Sequence, residues 1–157
     1  MTIVEYIIQE TQAKADEAFR YMAAVPEDKV EWKPLDAGRS IIDMARECAK
    51  CPDWAYGIVA NEPPAFDAES MAETHKEMSQ WTTVADCKEQ CSNRLARLFG
   101  LYRGLTPERL AETKWLPFAG GRDFTMYEIM EYPHWNFNWH AGQAAYVQTL
   151  YGDKEMY

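Results

Sequence analysis

The chain has 157 residues, 47% hydrophobic and 13% aromatic with six Trp and nine Tyr, a composition that excludes a disordered segment and a length that suits one core and not two, so residues 1–157 read as a single domain. Subtracting 25 acidic from 16 basic residues leaves a net charge of −9 with no Lys/Arg cluster, which argues against nucleic acid as a partner. No apolar run approaches the ~20 residues of a membrane span, and MTIVEYIIQETQAK has neither the basic start nor the cleavage site of a signal peptide, so a cytoplasmic protein without membrane association is expected.

Residues 3 to 24 carry Ile3, Ile7, Ala15, Ala18, Phe19 and Met22 at three- and four-residue spacing, the pattern of an amphipathic helix that Pro26 ends. Ser40 followed by Asp43 marks the start of a second helix, running to about Val59 with Pro52 inside it and NEPP closing it. From there to about Thr82 the chain is polar and lacks a clear period, so it reads as a long connection and not a core helix. Thr83 with Asp86 opens a third helix, whose apolar stripe comprises Val84, Cys87, Cys91, Leu95, Leu98 and Tyr102. Thr106-Pro107 opens a short helical turn, and KWLPFAGGRDFTM predicts a small β-hairpin or an ordered loop. A capping box of Thr125 and Glu128 begins the last helix, which ends before Gly152 and contains Pro133 as a predicted kink.

On that last helix Asn136 and His140 stand four residues apart and so share one face. The segment HWNFNWHAGQAAYVQTLYGD (134 to 153), together with EWKPLDAGRSIIDMARECA (31 to 49), resembles the DinB/YfiT-like family of four-helix-bundle proteins. The resemblance implies an all-α, up-down-down-up four-helix bundle with a long crossover between helices 2 and 3. It also implies a metal-dependent enzyme, often a thiol-cofactor S-transferase, or a related hydrolase. The family pattern places one His on helix 2 and an H-x-x-x-H on the last helix; this chain offers Glu47, Asn136 and His140 instead. Those three are the candidate metal ligands, with Asp43 and Gln143 as outer partners at helical spacing. One carboxylate, one imidazole and one amide oxygen form a harder set than three imidazoles, shifting the preference among divalent ions from zinc or nickel towards manganese or iron. A low-molecular-weight thiol cofactor, a small-molecule substrate and a homodimer complete what the resemblance implies, the aromatic surplus also favouring the dimer.

Other readings compete. Glu47 pairs locally with Arg46 or Lys50 and His140 is a satisfied core histidine, leaving a catalytically inactive bundle that binds a small molecule or another protein. Cys48-x-x-Cys51 and Cys87-x-x-x-Cys91 would build a zinc or redox centre, but Cys87 and Cys91 lie on an apolar stripe, no βαβ context exists, and thiols are expected over disulfides. Cys51, four residues after Glu47, is a candidate to line the same cavity. His134 lies six residues before His140 and faces elsewhere on an ideal helix. Tyr132, Trp135, Phe137 and Trp139 read as core, dimer-interface or pocket side chains. Three His give no Ser-His-Asp arrangement, and no glycine-rich phosphate loop is present.

Overall fold

The computed structural model describes every residue except Asp36 and Phe66. In chain order it contains α1 (Ile3–Ala23), α2 (Ile41–Val59), α3 (Ala68–Met78), α4 (Val84–Arg103), α5 (Pro107–Leu110), strands β1 (Thr113–Leu116) and β2 (Arg122–Thr125), α6 (Met126–Met130) and α7 (Tyr132–Leu150). Side-chain oxygens start the helices by accepting backbone N–H groups that have no intrahelical partner: Thr2 accepts from Glu5, Ser40 from Asp43, and Thr83 and Asp86 cap each other's backbone.

The directions of the four long helices follow from what their ends touch. Arg103, at the end of α4, bonds Glu5, at the start of α1, at 2.9 Å, so α1 and α4 are antiparallel. Gln148 near the end of α7 donates to the carbonyl of Tyr21 near the end of α1 at 3.2 Å, so α1 and α7 run together. Cys91 against the Cys48 carbonyl and Arg94 against Asp53 climb α4 and α2 in step. The bundle is therefore up-down-down-up, as expected from the sequence.

Parallel neighbours cannot be joined by a tight turn, so residues 60–83 travel back along the bundle. The chain leaves α2 by a close turn in which Glu62 N–H bonds the Gly57 carbonyl at 2.7 Å. A Cβ at Gly57 would lie 2.6 Å from the Glu62 carbonyl oxygen, so only glycine fits there. The connection contains α3, which has no buried residue; lacking a core face, it left little apolar period in the sequence. Charge holds it: Glu77 pairs with Lys50 of α2 at 2.7 Å and with Arg94 of α4 at 2.6 Å, and the Arg94 guanidinium lies over the ring of Trp81.

The Gly-Gly segment forms the hairpin. β1 and β2 are antiparallel, from Thr113 opposite Thr125 to Leu116 opposite Arg122, and Ala119, Gly120 and Gly121 turn with positive φ. The last helix differs from its expected form. Thr125 and Glu128 do make the capping box, but α6 stops at Met130, and Pro133 falls in the first turn of α7. Proline there breaks no intrahelical bond, because the N–H it lacks would be an orphan anyway. Gly152 follows α7 with φ +99, as its place after the helix end predicts. Among the described residues no helix is long and apolar enough to cross a membrane.

Phe19, Met22, Ile41, Leu95, Tyr102 and Phe137 are among the fully buried core side chains. The Tyr102 hydroxyl donates to the carbonyl of Met130, the last residue of α6, at 3.1 Å in the interior. Tyr102→Phe leaves that buried carbonyl without its donor and is expected to lower stability by about 1–2 kcal/mol, read from urea denaturation midpoints. An unchanged midpoint would show that the break between α6 and α7 is held by packing alone.

Candidate metal centre between helices 2 and 7

α2 and α7 pack against each other, and their facing sides bring together the three candidate ligands. Glu47 Oε1 lies 3.0 Å from His140 Nε2 and 3.2 Å from Asn136 Nδ2. His140 and Asn136 are 1% and 2% exposed, whereas the Glu47 side chain keeps 24%. On its other side the imidazole is held by Gln143, whose Oε1 lies 2.8 Å from His140 Nδ1. Gln143 thus reaches His140, the contact its helical spacing predicted, and is placed where an outer partner would sit. Asp43 is not: its carboxylate meets Lys33 at 3.0 Å and Arg46 at 3.7 Å, and it stays with the N-terminus of α2. The local pairing of Glu47 with Arg46 or Lys50 does not form either, since Arg46 turns to Asp43 and Lys50 to Asp53 and Glu77.

A fourth group completes the cluster. Arg39 reaches Glu47 Oε2 at 2.5 Å. The loop that delivers it passes so close to Pro34 that a Cβ at Gly38 would lie 1.9 Å from the Pro34 carbonyl oxygen. Sequence reasoning passed over Arg39 because it lies in an irregular lead-in, where no helical spacing ties it to Glu47. An arginine one residue before an N-cap was the only signal available. Arg39 also lines an open cavity of about 300 Å³ with Asp43, Arg46 and His75, so the cluster borders solvent on this side.

Burial pushes the Glu47 carboxyl up, but hydrogen bonds and charge from His140 and then Arg39 outweigh it and bring it down to about 2. Glu47 is ionised at neutral pH. His140 has a side-chain oxygen within hydrogen-bond distance of each ring nitrogen; a cation at Nε2 would take the place of a proton there. Asn136 gives Glu47 its nitrogen, and its buried Oδ1 has no partner among the described residues.

These residues fit a divalent ion. Turning the Asn136 amide over would aim its orphaned oxygen at the carboxylate, an arrangement favourable only with a cation between them. Donors about 2.1 Å from a metal stand about 3 Å apart along an octahedral edge, comparable with the spacing of these side chains. Among the described residues no three His, Cys, Asp or Glu side chains form a metal-holding group, so the set reaches three donors only through the amide.

The remaining sequence candidates lie elsewhere or are inert. His134 borders a small cavity with Tyr6, Ile7 and Glu10 of α1, away from His140. Cys48, Cys51, Cys87 and Cys91 are buried free thiols, and Cys48, Cys87 and Cys91 belong to the hydrophobic core. Burial raises all four, with Cys87 pushed up to about 12, so none offers a thiolate at neutral pH. Cys51 is fully buried. The aromatic residues divide: Phe137 is core, Tyr132 is half-buried, and Trp135 and Trp139 are each 54% exposed.

No family profile matches the chain, and no curated protein matches it in sequence. Solved structures do match. YfiT from Bacillus subtilis, a probable metal-dependent hydrolase with an unusual four-helix bundle topology, superposes with a TM-score of 0.76 at 12% identity, over 95% of this chain and 87% of that one. The mycothiol-dependent maleylpyruvate isomerase superposes with a TM-score of 0.67 at 14% identity, over 91% of this chain; the chain spans 62% of that protein. A point mutant of the same isomerase matches equally. The chain shares the YfiT-type four-helix bundle fold, as its resemblance to DinB/YfiT-like sequences implied.

The state of the thiols is directly testable. Ellman's reagent should label the native protein at far below one thiol per chain within minutes, and all four thiols after unfolding in guanidinium. Rapid native labelling would identify an accessible thiol and reopen the cysteine site.

Proposed function

We propose that the chain is a metal-dependent enzyme of the thiol S-transferase or related hydrolase class, with Glu47, Asn136 and His140 holding a divalent ion. The observation that carries this reading is the buried Asn136 Oδ1, left without a partner among the described residues beside a carboxylate and an imidazole from the facing helices. The neighbouring folds support it: one neighbour is described as a probable metal-dependent hydrolase and another as mycothiol-dependent.

When bound, the ion would supply the charge that lowers the pKa of a thiol or water and yields a nucleophile at neutral pH. The chain's own residues prepare the place. Gln143 holds the proton on His140 Nδ1, which leaves Nε2 as the donor. Arg39 engages Oε2 and limits Glu47 to Oε1. Arg39, which engages Glu47, also borders an open cavity with Arg46, the side from which a small-molecule substrate would approach. Manganese or iron(II) suits the hard donor set better than zinc or nickel. Four free thiols suit a reducing cytoplasm. A homodimer belongs to the same reading, with Trp139 and Tyr146, 54% and 66% exposed, as the aromatic surface a second copy would cover.

One observation favours a second reading, a catalytically inactive small-molecule-binding or interaction protein: Arg39, Asn136 and His140 already satisfy the Glu47 carboxylate without a metal.

Elemental analysis of protein purified without an affinity tag, with calorimetric titration of manganese, iron(II), zinc and nickel into the chelator-treated protein, separates the two. One ion per chain is expected, lost in Glu47→Ala and His140→Ala. Gln143→Ala should weaken binding by on the order of tenfold, and Asn136→Asp should tighten it. Absence of stoichiometric binding in the unaltered protein would select the second reading, and binding unchanged in His140→Ala would place the ion elsewhere.

A further inference from the structure

A cavity of about 560 Å³ lies between α2, the β1–β2 hairpin and the α6–α7 junction. Its size is that of a small-molecule site. Ile58 and Ala55 of α2, Leu116 of β1 and Ile129 of α6 form apolar walls. The most distinctive wall is aromatic: Phe118 lies parallel to Tyr132 within 4° at a centroid distance of 6.4 Å, and Tyr132 in turn stacks with Trp135 at 6.2 Å. Trp135 is 54% exposed, so the wall presents aromatic surface to a ligand.

The charged groups at the rim decide what kind of ligand fits. Arg122 is already engaged: it bonds Glu128 at 2.8 Å, donates to the Asp123 carbonyl and lies 3.7 Å over the Phe124 ring. Glu128 is engaged too, by Arg122 and by the backbone N–H and hydroxyl of Thr125. Glu131 is different. It sits at the α6–α7 break without a side-chain capping bond, and its carboxylate pairs with no described residue. It also borders the smaller cavity beside His134. One cation and two carboxylates leave the rim with a net charge of −1, on a chain whose own charge is −9. Exposed aromatic surface with an unpaired carboxylate attracts an organic cation and repels a carboxylate.

We propose that this cavity binds a flat, apolar molecule carrying an amine, its body against Phe118, Tyr132 and Trp135 and its ammonium directed to Glu131. The site is distinct from the Glu47, Asn136 and His140 cluster and does not require a metal there. It nonetheless adjoins that cluster: Ala55 lies two helical turns beyond Glu47 on α2, and Tyr132 one turn before Asn136 on α7. A ligand seated in the cavity would lie along the same α2–α7 groove.

Paired isosteric probes test the idea: 1-naphthylmethylamine, a cation at neutral pH, and 1-naphthoate, titrated calorimetrically into the intact chain at low salt. The amine should bind saturably at one site, at least about tenfold tighter than the carboxylate. Glu131→Gln should shrink that preference to within about threefold. Trp135→Ala removes an exposed aromatic wall of the cavity without touching the bundle core and should weaken amine binding at least about fivefold, with circular dichroism confirming unchanged helix content. His140→Ala should leave the amine affinity within about twofold, so that loss of the metal site and loss of this site read out separately. The proposal is overturned by no saturable amine binding, by naphthoate binding as tightly, by a preference that survives Glu131→Gln, or by amine affinity unchanged in Trp135→Ala.

Discussion

The interface between α2 and α7 is built around one partly buried charge. Glu47 places an ionised carboxylate among apolar side chains, and a carboxylate removed from water is strongly unfavourable unless donors surround it. Three do so, from separate parts of the chain: His140 and Asn136 from α7 and Arg39 from the lead-in to α2. Each donor fixes something beyond the charge. His140 and Asn136 set the register of α7 against α2, and Arg39 pins the loop before Ser40. The arrangement that neutralises Glu47 in the protein alone is close to the one that would present it to a cation.

Topology decides where that cluster opens. Because α2 and α4 run in the same direction, the connection between them must return along the bundle, and α3 lies on the outside with no buried residue. Its anchoring by Glu77, Lys50 and Arg94 is electrostatic and screened by salt. His75 and Met78 of this helix border the same cavity as Arg39 and Arg46. A helix with no buried residue thus flanks the solvent side of the candidate metal centre, while the centre itself rests on two well-packed helices.

α7 reverses the usual arrangement of a surface helix. Asn136, His140 and Gln148 are buried, while Trp135, Trp139 and Tyr146 face outward. Buried polar groups need partners, and exposed aromatics forgo the hydrophobic gain of burial, so neither half of the pattern is explained by folding alone. Glu47 and Gln143 serve His140, and the Tyr21 carbonyl serves Gln148. The outward rings form a stacked series from Phe118 through Tyr132 and Trp135 to Trp139. One helix thereby supplies both the polar interior and the aromatic surface.

The sequence by itself determined the long helices, and its resemblance to DinB/YfiT-like sequences implied their bundle: the three- and four-residue apolar spacing, the caps at Ser40, Thr83 and Thr125, and the glycine after α7 are local properties, and local physics suffices to read them. It also placed Asn136 over His140, and Gln143 within reach of His140, since both relations are helical spacings. Only tertiary structure decided the rest. That Glu47 meets His140 depends on how α2 docks on α7; that Asp43 does not join them depends on Lys33 and Arg46 taking it at the helix start. Arg39 entered the cluster, and Pro133 became a helix-starting proline and not a kink, through the course of irregular chain segments. Long-range docking and loop paths leave no period in a sequence, and for that reason the ligand spacing on one helix was legible while the shape of the site was not.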